Sequence, residues 1–209
     1  MRPPTDQPSG TAQDIPFTLL RPRLLKHKPR SQVVQCEYAE ATGNDRACIV
    51  KLFSPRARLA FENELLVYSI EEAQSELASK LWSGLWTTQQ YHSFLGGNLP
   101  SMLRRPENQV RVLVLSPVPN SIPLSDVDDP LRVTASRAAM KALQRLHRLG
   151  IVHGDPSASN VLIDRAGQTA TWVDFSTSVL RPTAADISHE WQRAADYFSQ
   201  FVSTSSCKR

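Results

Sequence analysis

Three segments near the start of the chain, around Leu19–Leu25, Gln32–Tyr38 and Ala47–Phe53, are short, partly alternating and rich in Val, Ile and Leu. Alternation sends successive side chains to opposite faces, so each reads as a strand. Lys28-Pro29-Arg30-Ser31 and Thr42-Gly43-Asn44-Asp45 separate them, and such turn-formers make the natural pairing antiparallel. Pro55 opens a helical stretch expected over Arg56–Trp82, with Phe61, Leu65 and Tyr68 on one face. Residues 83–109 contain Gly84, Gly96, Gly97 and Pro100 and read as irregular. Val110–Leu115 is a nearly continuous apolar strand, ended by Pro117 and Pro119.

A second helix is expected from about Leu131 to Leu149, with Val133, Met140, Leu143, Leu146 and Leu149 as its apolar positions and Gly150 as its cap. Two short strands follow, Val161–Asp164 and Ala170–Val173, joined by Arg165-Ala166-Gly167-Gln168. A last helix, about Ala184 to Val202, repeats apolar residues at Ile187, Trp191, Ala194, Phe198 and Phe201. The order predicts an α+β fold with a small β-rich part and a helical part meeting near residue 116. Residues 1–16, with Pro3, Pro4, Pro8 and Pro16, read as a disordered N-terminal tail, and 204–209 as a loose C-terminal one.

Composition adds little to this pattern. The 209 residues are 41% hydrophobic and 21% charged, enough for a core and too ordinary for wholesale disorder. The net charge of +4 is spread along the chain. It shows neither a concentrated basic stripe nor aromatics interleaved with Arg and Lys, so a nucleic-acid partner is not expected. Cys36, Cys48 and Cys207 are odd in number and lack metal-ligand spacing, which argues against a disulfide framework or a zinc site. No apolar run is long enough to span a bilayer, and the start of the chain lacks a secretory apolar region, so an intracellular, cytoplasmic or nuclear protein without a membrane partner is expected.

The chemistry lies in Ile151-Val152-His153-Gly154-Asp155-Pro156-Ser157-Ala158-Ser159-Asn160 and, fourteen residues after Asn160, in Asp174-Phe175-Ser176. An Asp, an Asn five residues later and a second Asp across a hairpin can converge on one place. Phosphoryl transfer needs such a set: one acid to orient the attacking hydroxyl, and oxygens to hold Mg²⁺ against phosphates. The pattern resembles that of the protein kinase superfamily, including its aminoglycoside-phosphotransferase-like branch and fungal kinase-like proteins, whose loop reads His-Arg-Asp, four residues, Asn, then Asp-Phe-Gly. The resemblance covers roughly residues 17–202 and implies a bilobal fold, with an antiparallel β-rich N-lobe (about 17–116) and a reduced helical C-lobe (about 117–203). It implies Asp155 as catalytic base, Asn160 and Asp174 as Mg²⁺ ligands, and His153 as a brace for the loop.

Upstream, Lys51 in Ala47–Phe53 resembles the kinase lysine that pairs the ATP phosphates, although a lysine there could equally be an exposed strand residue. Glu64 shares the apolar face with Phe61 and Tyr68, and a carboxylate there is costly unless paired. The resemblance makes Lys51 its partner, with Glu62, further round the helix, as the fallback. By the same resemblance Leu115 is the gatekeeper, and the Ser116 carbonyl and Val118 amide face adenine.

The sequence departs from the pattern in four places. His27-Lys28-Pro29-Arg30-Ser31 stands where a Gly-rich loop is expected, Ser176 replaces Gly, and Ser157 replaces a lysine two residues after the catalytic Asp. Only about 35 residues follow Asp174, where a full kinase has several more helices. His189, Glu190 and Trp191 in that last stretch read as surface and packing residues. The expectation is an ATP- and Mg²⁺-dependent phosphotransferase acting on a protein Ser/Thr or small-molecule hydroxyl. The alternative is a pseudokinase that binds nucleotide or a protein partner without turnover.

Overall fold

The structure, a computed structural model, describes residues 18–28, 31–39, 45–70, 77, 80–86, 94 and 109–203. Both expected tails, and most of the two turns that separate the first strands, lie outside these residues. The fold is mixed α+β. Its contacts gather into two units: the described residues of Met1–Arg56 and Trp82–Val114 in one, and those of Ala57–Leu81 and Leu115–Arg209 in the other.

The first unit is built on a five-stranded sheet, β1 (Thr18–Lys28), β2 (Ser31–Ala39), β3 (Asp45–Phe53), β4 (Lys80–Trp86) and β5 (Val110–Leu115), in the order β1-β2-β3-β5-β4. β1 pairs with β2, and β2 with β3, antiparallel as the turns imply. Alternation fixes which side chains meet. Val34, Cys36 and Tyr38 of β2 pack with Cys48, Val50 and Leu52 of β3, Val110, Val112 and Val114 of β5, and Trp86 of β4. β1 is less regular, with two register shifts and Arg21 in the left-handed region at φ 51°. It pairs along only one side in the strand order, and such breaks are common at sheet edges.

β4 corrects the expected helix over Arg56–Trp82. The helix α1 runs only from Arg58 to Val67, and Lys80–Trp86 is strand. The Ser69 hydroxyl accordingly donates to the Leu65 carbonyl at 2.6 Å, occupying one of the acceptors a helix leaves open at its end. Trp86 of β4 packs against β2, β3 and β5, and that burial outweighs the helical spacing. α1, expected to go with the strands, groups with the second unit.

In the second unit, α2 (Asp129–Arg148) packs on a small sheet ordered β6-β8-β9, made of Ser121–Pro123, Val161–Asp164 and Ala170–Trp172, and α3 (Ala184–Ser203) packs on α2. A further pair joins β7 (Ile151–Val152) to β10 (Val179–Leu180). α2 buries Ala135, Ala139, Ala142, Leu143 and Leu146, while Val133 remains exposed. Leu143 and Leu146 are thus buried as expected and Met140 and Leu149 half-buried, Val133 alone of the expected positions points out, and the alanines widen the buried face. The Trp172 indole N–H donates to the Ala139 carbonyl at 3.0 Å and fixes the approach of α2 to β9. α3 begins with a reciprocal cap. The Thr183 hydroxyl accepts from the Asp186 amide, and the Asp186 carboxylate accepts from Thr183 at 2.7 and 2.9 Å. No helix among the described residues is long and apolar enough to cross a membrane.

Candidate functional site

Gly150 ends α2 at φ 72°, and its amide bonds to the His147 carbonyl at 3.0 Å. The chain then passes through β7 into the loop His153–Asn160. His153 is wholly buried and rests against Trp172 and Phe175, with ring centroids 4.9 and 5.0 Å away. Its Nε2 lies 2.9 Å from the Val173 carbonyl, and its Nδ1 accepts from the Asp155 amide at 3.3 Å. This network assigns the neutral ring with the proton on Nε2. Burial lowers the His153 pKa below its usual value, against the opposing pull of the Val173 carbonyl and nearby carboxylates. The role of brace expected for His153 thus has a visible basis.

Asp155 is exposed, and its Oδ2 accepts from Asn160 Nδ2 at 2.8 Å. The same Nδ2 reaches the Asp155 carbonyl at 3.1 Å, and a short 3₁₀ turn, Ala158–Asn160, makes this closure possible. The Asn160 amide is thereby oriented with its nitrogen toward Asp155. Its Oδ1 is buried and accepts no hydrogen bond. The backbone of Asn160 is tied onward, since its carbonyl accepts from the Val173 amide at 2.9 Å, one residue before Asp174. Hydrogen bonds therefore join Asp155 to Asn160 and Asn160 to Val173, the residue before Asp174.

Asp174 sits in the left-handed region at φ 69°, a conformation costing a non-glycine residue about 1–2 kcal/mol. Three contacts hold the turn it begins. The Ser176 hydroxyl donates to Asp174 Oδ1 at 2.9 Å, Asn63 Nδ2 of α1 donates to the Ser176 carbonyl at 3.2 Å, and Phe175 is wholly buried with its ring 5.5 Å from Tyr68. Burial, followed by the Glu64 and Asp174 carboxylates, pushes the Tyr68 phenol well above its usual pKa, partly opposed by the Asp174 amide. Tyr68 thus stands beside both acids. Glu64 is fully buried on α1 with Phe61 and Val67, on the apolar face as expected, whereas Glu62 binds Arg58 on the exposed side at 2.6 Å.

The departure at Gly154 has a steric cause. Its φ is 86°, and a Cβ there would stand 2.2 Å from the Thr177 carbonyl oxygen. No side chain fits between His153 and Asp155 in this backbone.

The sequence reading missed one central residue. Glu190 of α3, read only as one of three surface and packing residues, is 2% exposed. Its Oε2 accepts from the His153 amide at 2.9 Å and lies 2.8 Å from His147 Nε2, while Oε1 accepts from the Gly154 amide at 2.6 Å. Burial opposes its charge, yet these donors hold its carboxyl below the usual range. Glu190 is therefore the anchor that fixes the start of the loop from a distant helix.

Of the remaining candidates, Leu115 is buried, Ser116 and Val118 are half-buried, and the Val118 carbonyl accepts from the Ser121 hydroxyl at 2.8 Å. Lys51 belongs to the first unit. It is 4% exposed, so it is not an ordinary exposed strand residue, and its Nζ lies 5.1 Å from the Phe53 ring centroid. The described residues hold no group of three or more His, Cys, Asp or Glu arranged to bind a metal ion. Mg²⁺ in phosphoryl transfer takes few protein oxygens, the rest coming from phosphates and water. Asn160 Oδ1 and the Asp174 carboxylate are oxygens of that kind. No family model matches the sequence, and no curated protein is significantly similar to it.

Proposed function

We propose that the chain is an ATP-dependent phosphotransferase with a bilobal protein-kinase-like fold, moving the γ-phosphate to a protein Ser/Thr or small-molecule hydroxyl. The observation that carries this reading is Asn160. One end of its amide orients Asp155, and the other offers a buried oxygen with no protein donor, next to the strand that leads into Asp174. An amide bound to a carboxylate on one side and left with a buried, unpartnered oxygen on the other suits a cation held against phosphate better than it suits a purely structural turn.

In this reading Asp155 is placed to accept the proton of the attacking hydroxyl, and Asn160 keeps its carboxylate turned the right way. Asp174 and Asn160 supply the protein oxygens for Mg²⁺. When bound, Mg²⁺ neutralises charge on the phosphates during transfer. Lys51 takes the phosphate-pairing role, steadied by Glu64, while Leu115, Ser116 and Val118 border the adenine. Catalysis of this kind is mostly positioning, so Asp155→Asn should lower turnover by about 10²–10⁴-fold with the fold intact. A variant that kept wild-type turnover would sink the mechanism.

The first test is a thermal-shift titration with ATP, with and without Mg²⁺, on the wild type and Asp174→Ala. Stabilisation that requires Mg²⁺ and disappears in the variant is expected. Nucleotide stabilisation without turnover on any acceptor would move the assignment to a pseudokinase, and no stabilisation at all would remove the nucleotide from it.

A further inference from the structure

Cys36 and Cys48 are directly opposed residues of the antiparallel strands β2 and β3, and both are buried. Their sulfurs lie 3.6 Å apart and share a hydrogen bond. Opposed residues in an antiparallel pair have Cα separations of about 4.5–5.5 Å, within the span a disulfide bridges. The strands need not move to join them. Only the sulfurs must close, to about 2.05 Å.

We infer that Cys36 and Cys48 form an oxidisable dithiol, a modification site at which a small hydroperoxide converts the pair to a cross-strand disulfide. This inference stands apart from the reading of the catalytic loop and survives if that reading fails. The Cys48 thiolate attacks the peroxide O–O bond, giving a sulfenic acid at Cys48 and releasing hydroxide, which takes up a proton as water. The Cys36 sulfur then attacks the Cys48 sulfur. The S–S bond forms, the S–O bond breaks, and a second water leaves with the Cys36 proton. Two thiols are oxidised by two electrons, and one peroxide is reduced.

The local chemistry assigns these roles. The hydrogen bond between the sulfurs lowers the Cys48 pKa despite its burial, so Cys48 is the more acidic sulfur of the pair. The same bond, followed by burial, raises the Cys36 pKa strongly. The surrounding valines, Tyr38 and Trp86 bury both sulfurs and exclude bulky or charged oxidants. The bridge would lock the register of β3, the strand that carries Lys51.

The test uses the full chain with Cys207→Ser, treated with hydrogen peroxide while folded, then denatured and alkylated with N-ethylmaleimide. The expected product is two hydrogens lighter, takes no label at Cys36 or Cys48, and yields on proteolysis a linked peptide pair that dithiothreitol separates. Its melting temperature should rise by an amount on the order of 5 °C. In Cys36→Ser, Cys48 should stop at the sulfenic acid and be trapped by dimedone. Full labelling of both cysteines at peroxide doses that oxidise free glutathione would overturn the inference. So would oxygen addition at either residue without a linked peptide in the chain that retains both cysteines.

Discussion

Glu190 accepts hydrogen bonds from two backbone amides, beside a histidine nitrogen, from within a packed interior. Replacing it by Ala leaves those donors without an acceptor, which should cost about 3–5 kcal/mol by urea unfolding. Gly154→Ala should cost about 2 kcal/mol or more, from the φ of 86° and the approach to Thr177. The pH dependence has a fixed sign. Folded His153 has a pKa below 6.5, so the unfolded chain takes up its proton first as pH falls. Stability should be complete above about pH 7 and decline below about 6.5. Glu190, whose folded pKa is depressed, adds a further loss as pH drops below 4.5. His153→Gln should flatten the first decline, measured as unfolding free energy between pH 7.5 and 5.5, and an unchanged slope would remove His153 as its source. The pairing of Asp155 with Asn160 was legible because five residues of tight loop separate them, and the hairpin return explains why the strand leading into Asp174 bonds to Asn160. Glu190 was legible by the argument that singled out Glu64, a carboxylate on the apolar face, since it lines up with Ile187, Ala194 and Phe198. Its neighbours His189 and Trp191 gave the segment the look of a surface.

The elements divide the same way. Val110–Leu115, Val161–Asp164 and both long helices fall where periodicity and turn chemistry put them. The two-residue strands β7 and β10 gave no periodic signal, because each exists only through the other. The stretch around Lys80 was lost for the opposite reason, a helical pattern running past its true end. α2 holds the most specific lesson. Alanines count little as apolar residues, yet they let a helix lie close to its neighbours, and here Ala135, Ala139 and Ala142 share the buried face with Leu143 and Leu146. Ala139→Leu would force a larger side chain into the contact beside Trp172. It should destabilise the fold by about 1–3 kcal/mol, whereas Val133→Ala on the exposed side should change stability by less than about 0.5 kcal/mol, both read from denaturant midpoints.

At the scale of the molecule, the second unit depends on residues far apart in sequence. Glu190 lies 36 positions beyond the Gly154 amide it holds. α1 reaches the Asp174 turn from further still, through Asn63 and the Ser176 carbonyl, 113 positions apart. Asn63→Ala should therefore leave the fold in place but raise the Mg²⁺ concentration needed for half-maximal nucleotide stabilisation, in the same thermal-shift titration proposed above. An unchanged midpoint would mean that the turn holds its shape without α1. The distance to Glu190 also has a consequence in time. A ribosome adding about 5–20 residues per second delivers Glu190 about 2–7 s after Gly154. Until then His153 and Gly154 have no carboxylate to hold their amides, so the start of the loop is fixed only once α3 has been made, and the loop is no seed for the elements before it.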